Sequence, residues 1–263
     1  MNLTRLEFSR DGGVAEIVLD RPEAANALDL RMAADLAAVA SRCASDPAVR
    51  AVVLTARGKM FCAGGDVTSF AAAGEGVGEL MRQMTAQFHG AIARFERMDA
   101  PLVVALNGTV AGAGLGLMLM GDVVVAAEGA KLTLAYTGIG LSPDGGCSHF
   151  LPRSVGLLRA KQMMLMNPRL TAAEALTAGL VTEVVPDDQV LARARAIARQ
   201  LAAGPTQAHG VVKRLLADTF STPLETQMEC EARGIAGLAG GTLDAREGIA
   251  AFVAKRTPNF RGQ

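Results

Sequence analysis

Two glycine-rich turns are the parts of this chain whose residue types and spacing could support chemistry. The first, Phe61–Val67, follows a β-branched run and contains two adjacent glycines. Adjacent glycines let backbone N–H groups face a ligand where side chains would obstruct them. The second, Gly108–Gly116, lies between a predicted strand and a predicted helix, whose N-terminus offers N–H donors to a phosphate or a developing oxyanion. An ordinary strand-to-helix turn with Asp66 as N-cap explains the first segment equally well.

A third turn and one histidine are further candidates. Pro143-Asp144-Gly145 is a strong turn signal within Gly140–Gly146, so Asp144 is either a turn residue or a catalytic carboxylate. His89 falls in a helical stretch, where a histidine is more typically structural than a general base. The second glycine turn does not match a dinucleotide-binding motif, because its glycines are spaced GxGxG rather than GxGxxG.

The apolar pattern predicts strands and helices that alternate over the first two-thirds of the chain, followed by helices alone. Predicted strands are Val14–Leu19, Ala51–Thr55, Leu102–Leu106 and Val123–Ala127. Predicted helices are Asp29–Ser45 with Asp29 as N-cap, Leu80–Met98, Thr171–Gly179 with a capping box, Asp187–Ala203, Thr206–Thr219, Pro223–Leu238 and Asp244–Arg256. Arg57–Asp66 is predicted to be a turn and Ala71–Gly78 a loop. This order indicates an α/β fold with a layered, mostly parallel sheet.

Composition excludes several classes of function. Lys+Arg and Asp+Glu balance at 26 each, so the chain lacks the basic field typical of nucleic-acid binding. The four cysteines are scattered, which disfavours a metal site or disulfide framework and favours free thiols in a reducing cytoplasm. Ala100–Gly121 carries no charge and is long enough to span a bilayer, but its proline and five glycines favour a buried strand, turn and helix. We therefore expect a soluble protein without a membrane segment.

Taken together and in this order, the motifs resemble the crotonase superfamily, also called the enoyl-CoA hydratase/isomerase family, over nearly the whole chain. They are most similar to the phenylacetate-pathway enoyl-CoA isomerases. The matching segments are Arg21-Pro22, Asn26–Leu28, Phe61–Asp66, Pro101–Gly108, Gly140–Pro143, Glu174–Val181 and Arg246–Arg256. The resemblance implies a crotonase-like (ββα)n spiral core over residues 1–200 and a C-terminal helical trimerisation region over 201–263.

The resemblance also implies that the N–H groups of Gly65 and Ala113 bind the thioester oxygen of an acyl-CoA. A thioester α-proton is too weakly acidic to remove unless the enolate oxygen is stabilised, and losing one such donor costs roughly 3–4 kcal/mol. Implied CoA-binding positions are Ala25, Ala27, Leu28, Ala63, Asp66 and Val67, with Phe252 and Lys255 meeting the CoA of a neighbouring subunit in a homotrimer or homohexamer. No metal and no cofactor beyond the CoA thioester substrate are implied.

Hydratases of this family use two glutamates to activate water, and the matching positions here are Gly116 and Tyr136. Both carboxylates are missing, so the two-acid hydration route is disfavoured. Asp144 instead resembles the aspartate with which isomerase members move a proton. In halobenzoyl-CoA dehalogenases the same aspartate is a nucleophile, with a histidine matching His89 as base and an aromatic residue at the Tyr136 position. We expect an acyl-CoA isomerase, with a dehalogenase-like enzyme, a residual hydratase or a non-catalytic CoA-binding homologue as alternatives.

Overall fold

Two β-sheets form the centre of the fold in the computed structural model, which describes residues 2–263. The larger sheet has the strand order β1-β2-β3-β5-β7-β10 and the smaller sheet has the order β4-β6-β8-β9. Only β1–β2 and β8–β9 pair antiparallel among the pairs described. The strands are β1 Leu6–Asp11, β2 Val14–Leu19, β3 Ala51–Ala56, β4 Met60–Cys62, β5 Leu102–Leu106, β6 Thr109–Ala111, β7 Val123–Ala127, β8 Lys131–Thr133, β9 Leu170–Thr171 and β10 Glu183–Val185.

The chain steps repeatedly from the larger sheet to the smaller one and then into a helix. This happens at β3 and β4, again at β5 and β6, and again at β7 and β8. Strands β3 and β5 are fully buried runs of small and branched residues, as parallel strands covered on both faces require. The predicted α/β class with a (ββα)n spiral core and mostly parallel main sheet is confirmed.

Eleven α-helices occur within residues 2–263. They are α1 Leu30–Ser45, α2 Val67–Ala73, α3 Val77–Arg97, α4 Ala113–Leu119, α5 Cys147–Val155, α6 Leu157–Met166, α7 Ala172–Thr177, α8 Val190–Ala202, α9 Thr206–Asp218, α10 Leu224–Gly241 and α11 Leu243–Val253. Asp29 caps α1 by accepting a hydrogen bond from the Met32 N–H at 2.7 Å. Thr171 and Glu174 form the capping box of α7. Both predicted caps are confirmed.

Two predicted irregular segments are wrong. Ala71–Gly78 is not a loop, because α2 continues to Ala73, a single 3₁₀ turn follows over Gly74–Gly76, and α3 begins at Val77. Alanine has the highest helix propensity, and only the glycines interrupt the helical path. Arg57–Asp66 is not wholly a turn, because β4 lies within it and pairs with β6. Because β4 and β6 are far apart in the sequence, no local residue pattern indicates that they pair.

The uncharged stretch Ala100–Gly121 contains the predicted strand, β5, and the predicted helix, α4. Between them the predicted turn includes a short strand that was not predicted, β6. Across residues 2–263, no helix is both long and apolar enough to cross a membrane. Helix α8 packs against β3, β5 and β7, whereas α9 packs against α3, and α10 and α11 follow. The division of the chain at residue 200 stays a prediction.

Candidate active site

A cavity of about 370 Å³ lies between the two glycine turns and the loop that carries Asp144. Gly65, Ala113, Tyr136 and Asp144 all line this cavity. Ala113 begins α4 and the other three residues lie outside helices and strands, and the alternation between the two sheets brings all four to one place. The cavity is therefore the candidate site.

The two glycine turns are adjacent because β4, at the start of the first, pairs in parallel with β6, near the start of the second, with Met60 opposite Thr109. Gly64 has a φ of +96°, a region that residues with a side chain rarely adopt. A β-carbon at Gly64 would lie 3.3 Å from the Ala113 nitrogen and 3.1 Å from the Ala111 oxygen. Only glycine allows the first turn to approach the second this closely.

The backbone N–H groups of Gly65 and Ala113 have no hydrogen-bond acceptor within residues 2–263. Ala113 is the first residue of α4, and N–H groups of a first helical turn have no acceptor inside the helix. Both residues line the same cavity. A carbonyl oxygen that accepts from both would be stabilised as negative charge develops on it.

The segment Ala25–Leu28 runs beside the first glycine turn. The Ala63 N–H donates to the Ala25 oxygen at 3.0 Å, and the Leu28 N–H donates to the Gly64 oxygen at 2.7 Å. Leu28, Ala63 and Val67 line the cavity, whereas Ala25 and Ala27 do not. The two segments predicted to bind CoA therefore lie together.

The Asp66 carboxylate forms its hydrogen bonds with other groups of the protein. Its carboxylate accepts from Arg21 at 2.8 Å and from the N–H groups of Thr68 and Ser69, which cap α2. Burial raises the pKa of Asp66, but the bonds from Arg21 and Ser69 outweigh burial and hold the pKa below its ordinary value. This geometry matches the N-cap interpretation, and the carboxylate does not line the cavity.

Asp144 presents its two carboxylate oxygens differently. Oδ1 accepts a hydrogen bond from the Tyr136 hydroxyl at 2.6 Å. No donor within residues 2–263 forms a hydrogen bond to Oδ2, and the side chain is 30% exposed. Burial, followed by the nearby Cys147 and Asp144, raises the pKa of Tyr136, so the phenol stays protonated as a donor. Oδ1 is thus held in place while Oδ2 stays available to a substrate proton.

His89 supports the loop that carries Asp144. Its Nε2 accepts a hydrogen bond from the Gly145 N–H at 3.1 Å and lies 3.6 Å from Asp144 Oδ2. These two contacts conflict, since an ion pair would require a proton on Nε2 and the bond from Gly145 requires a lone pair there. The bond from Gly145 is the shorter of the two, so Nε2 acts as a hydrogen-bond acceptor in this arrangement. The ring does not line the cavity.

Gly116 leaves no room for a side chain. A β-carbon at this position would overlap the carbonyl oxygen of Gly145 and lie 3.1 Å from its carbonyl carbon. Gly145 and Gly146 have φ values of +59° and +74°, which turn their backbone toward α4. The backbone of the Asp144 loop therefore occupies the space that a longer residue at position 116 would need.

Two buried cysteines contact these elements. The Gly64 N–H donates to Cys62 Sγ at 3.5 Å, and Cys147 Sγ lies 3.9 Å from the Tyr136 hydroxyl. Burial raises the pKa of each thiol to about 12, so neither forms a nucleophilic thiolate near neutral pH. Within residues 2–263, no three His, Cys, Asp or Glu side chains are grouped closely enough to hold a metal ion.

Comparison with known proteins identifies the family. The model of the family described as enoyl-CoA hydratase/isomerase matches residues 9–263. The chain belongs to the enoyl-CoA hydratase/isomerase family. This confirms the resemblance to the crotonase superfamily.

Relatives within the enoyl-CoA hydratase/isomerase family carry different activities in their names. A Rhodobacter capsulatus protein named "Probable enoyl-CoA hydratase" is 39% identical over the full length of both chains. The 1,2-epoxyphenylacetyl-CoA isomerase of Escherichia coli is 36% identical over 95% of this chain and 96% of its own. The crystal structure of an enoyl-CoA hydratase from Bacillus anthracis is 31% identical, covers 99% of this chain and 100% of its own, and superposes with a TM-score of 0.92.

Two predicted residues of this family member lie apart from the cavity within the single chain. Phe252 lies in the last turn of α11 and is 87% exposed, and Lys255 follows the end of that helix. Neither lines the cavity. Their predicted contact with CoA in a neighbouring subunit stays a prediction.

Sequence reasoning missed three residues that shape the site. Gly145 contacts Gly116 and donates to His89, while Phe70 and Phe88 line the cavity. The paired glycines after Asp144 were a usable signal for a close backbone approach. Phe70 and Phe88 lie in predicted or observed helical segments, and their spacing is equally typical of residues in the core and of residues that line a cavity.

Proposed function

We propose that the protein is an acyl-CoA isomerase that moves a proton with Asp144 while Gly65 and Ala113 stabilise a thioester enolate. One observation carries the proposal. Among the cavity-lining residues in the described part of the chain, Asp144 is the only acid, and its Oδ2 accepts no hydrogen bond. A single carboxylate suffices when the same group both removes and returns a proton.

In the reaction of a β,γ-enoyl thioester, Oδ2 of Asp144 removes a proton from the α-carbon. The electron pair moves onto the thioester oxygen, where the N–H groups of Gly65 and Ala113 receive it. The protonated carboxyl then returns the proton to the γ-carbon, and the thioester carbonyl re-forms beside an α,β double bond. Substrate and product have the same atoms, and Asp144 ends ionised as it began. Opening of a strained ring in an acyl-CoA is a variant of the same chemistry.

Hydration is less compatible with the cavity, because it needs groups that position and activate a water molecule. The Gly145 backbone fills the space beside Gly116, and the Tyr136 hydroxyl is directed at Asp144. These contacts support isomerisation over the activity named for the Rhodobacter relative.

A dehalogenase-like reaction is the second candidate, favoured by the 3.6 Å between His89 Nε2 and Asp144 Oδ2. In that reaction Asp144 would form an ester with an aromatic ring and His89 would activate water. The lone pair that such a base needs is engaged by the Gly145 N–H. Isomerisation therefore ranks first.

We further propose that α9–α11 mediate a homotrimer or a hexamer built from two trimers. These helices and the turn between α9 and α10 expose large apolar side chains that a monomer would leave in water, namely Leu216, Phe220, Leu224, Met228, Ile235, Ile249 and Phe252. In such an assembly Phe252 and Lys255 contact the CoA of a neighbour. Light scattering coupled to size exclusion tests this, and a monomer at micromolar concentration contradicts it.

Asp144→Asn tests the proposed function, because asparagine keeps the size of the side chain but cannot take up the proton. We expect turnover of a 3-enoyl-CoA, followed by the absorbance of the conjugated product, to fall by at least about 100-fold. Binding of a saturated acyl-CoA should stay within about threefold, since no CoA contact is lost.

The matched control is Asp188→Asn, at an exposed residue whose carboxylate makes no hydrogen bond or ion pair within residues 2–263. It should retain full turnover. Undiminished activity of Asp144→Asn would refute the proton-transfer role. Tight CoA binding without turnover of any enoyl thioester by the unmodified protein would instead favour a non-catalytic homologue.

A further inference from the structure

The cavity has an uneven distribution of charge. Within the part of the chain that the structure describes, its lining contains one carboxylate, Asp144, and no lysine, arginine or histidine. The other polar side chains in the lining are Thr85, Tyr136 and Ser142. A bound acyl group would therefore meet one negative charge and no cation in the lining. His89, whose Nε2 lies 3.6 Å from Asp144 Oδ2, is outside the lining and accepts a hydrogen bond from the Gly145 N–H.

One face of α3 supplies much of the apolar lining. Met81, Met84, Thr85 and Phe88 are spaced i, i+3, i+4 and i+7, and all four line the cavity. Met84 and Phe88 are 5% and 1% exposed. Arg82, which lies between Met81 and Met84 in the sequence, is exposed and pairs with Glu79 at 3.0 Å. Arg82 is therefore paired at the surface and does not line the cavity.

Aromatic rings lie at both ends of the proposed reaction path. A β-carbon at Gly65 would lie 2.6 Å from Phe70 Cζ, so Phe70 packs against the oxyanion turn. A β-carbon at Gly145 would lie 2.7 Å from Phe88 Cε1, so Phe88 packs beside the Asp144 loop. An acyl chain that reaches from one end to the other is flanked by apolar surface.

We propose that the acyl group is uncharged and apolar, a short aliphatic chain or a single aromatic ring, and that acyl chains ending in a carboxylate are excluded. This inference rests on the proposed acyl-CoA function. A terminal carboxylate would lose its hydration without gaining a cation or hydrogen-bond donors, and Asp144 would repel it. The volume of about 370 Å³ lies near the lower end of the roughly 300–1,000 Å³ typical of ligand pockets.

Equilibrium binding of two saturated thioesters tests the proposal. Hexanoyl-CoA and hexanedioyl-CoA have the same chain length and differ by one terminal carboxylate, and neither can isomerise. We expect the unmodified protein to bind hexanoyl-CoA at least about 30-fold more tightly than hexanedioyl-CoA. Equal affinities, or hexanoyl-CoA binding no more tightly than coenzyme A alone, would overturn the proposal.

A variant that adds a positive charge to the cavity lining tests whether electrostatics causes the preference for hexanoyl-CoA. Thr85→Lys places an ammonium at the half-buried position on the same face of α3, and it should reduce the preference for hexanoyl-CoA by about tenfold. Thr85→Met adds similar length without charge and should leave the preference unchanged. An equal effect of both variants would assign the selectivity to size and contradict the electrostatic argument.

These binding experiments separate the substrate class from the reaction. A retained preference for hexanoyl-CoA in a protein that isomerises no 3-enoyl-CoA would refute the proposed function and leave the acyl class standing. Isomerase turnover with equal affinity for both thioesters would refute the proposed acyl class and leave the proposed function standing.

Discussion

Removal of the Tyr136 hydroxyl should lower turnover without weakening substrate binding. The hydroxyl donates to Asp144 Oδ1 at 2.6 Å, which is short enough for a hydrogen bond to an ionised group. Such bonds contribute about 1.5–3 kcal/mol net, which corresponds to roughly 10- to 150-fold in rate if the transition state loses the whole amount. Tyr136→Phe keeps the ring that packs in the cavity wall. We therefore expect kcat to fall by about 10- to 100-fold while KM stays within about threefold.

Steady-state kinetics with a 3-enoyl-CoA measures both parameters. Thr137→Val is the matched control, because it removes the neighbouring hydroxyl, which faces Asn167 and the Met164 oxygen instead of the cavity. It should leave kcat unchanged. An unchanged kcat in Tyr136→Phe, or a rise in KM alone, would refute the argument that Tyr136 positions the catalytic carboxylate.

Two further predictions concern packing and pH. Gly116→Ala should push the Gly145 backbone and with it Asp144, lowering kcat by roughly 100-fold and the free energy of unfolding by about 1–3 kcal/mol. The control is Gly78→Ala at an exposed position of α3, where an added β-carbon meets no atom within 4 Å; it should be neutral or stabilising by up to about 1 kcal/mol in urea unfolding. A Gly116→Ala variant with normal kcat would contradict the close approach. Burial raises the pKa values of three thiols, Cys43, Cys62 and Cys147, from 9.0 to about 12. Because the unfolded chain loses these protons at a lower pH than the folded chain does, the melting temperature should fall as pH rises from 9 to 12. At pH 8 the same thiols should resist a disulfide reagent until the protein unfolds. Rapid labelling of Cys43, Cys62 or Cys147 in the folded protein would contradict the burial of these thiols.

The sequence predicted local features well because their causes are local. The Asp29 cap and the Thr171 capping box follow from side chains that bond to backbone within three residues. The glycine turns were also evident, since paired glycines mark backbone that approaches other groups. By contrast, β4 was missed because its pairing partner β6 lies nearly fifty residues away.

The arrangement within the candidate site was predicted only in part. The missing carboxylates at Gly116 and Tyr136 were visible in the sequence. The reason for the glycine, contact with the Gly145 backbone, depends on two loops that meet only in the folded chain. The bond between Tyr136 and Asp144 and the bond from Gly145 to His89 likewise join residues whose relative orientation no sequence spacing defines.

Mass spectrometry of the product formed in heavy-oxygen water tests the central claim most directly. If Asp144 moves a proton within an enolate, a 3-enoyl-CoA should give a conjugated product of unchanged mass that contains no heavy oxygen. Addition of one labelled water would show hydration and contradict the account. Replacement of a halogen by labelled oxygen on a haloaryl-CoA would contradict it in favour of the dehalogenase-like alternative.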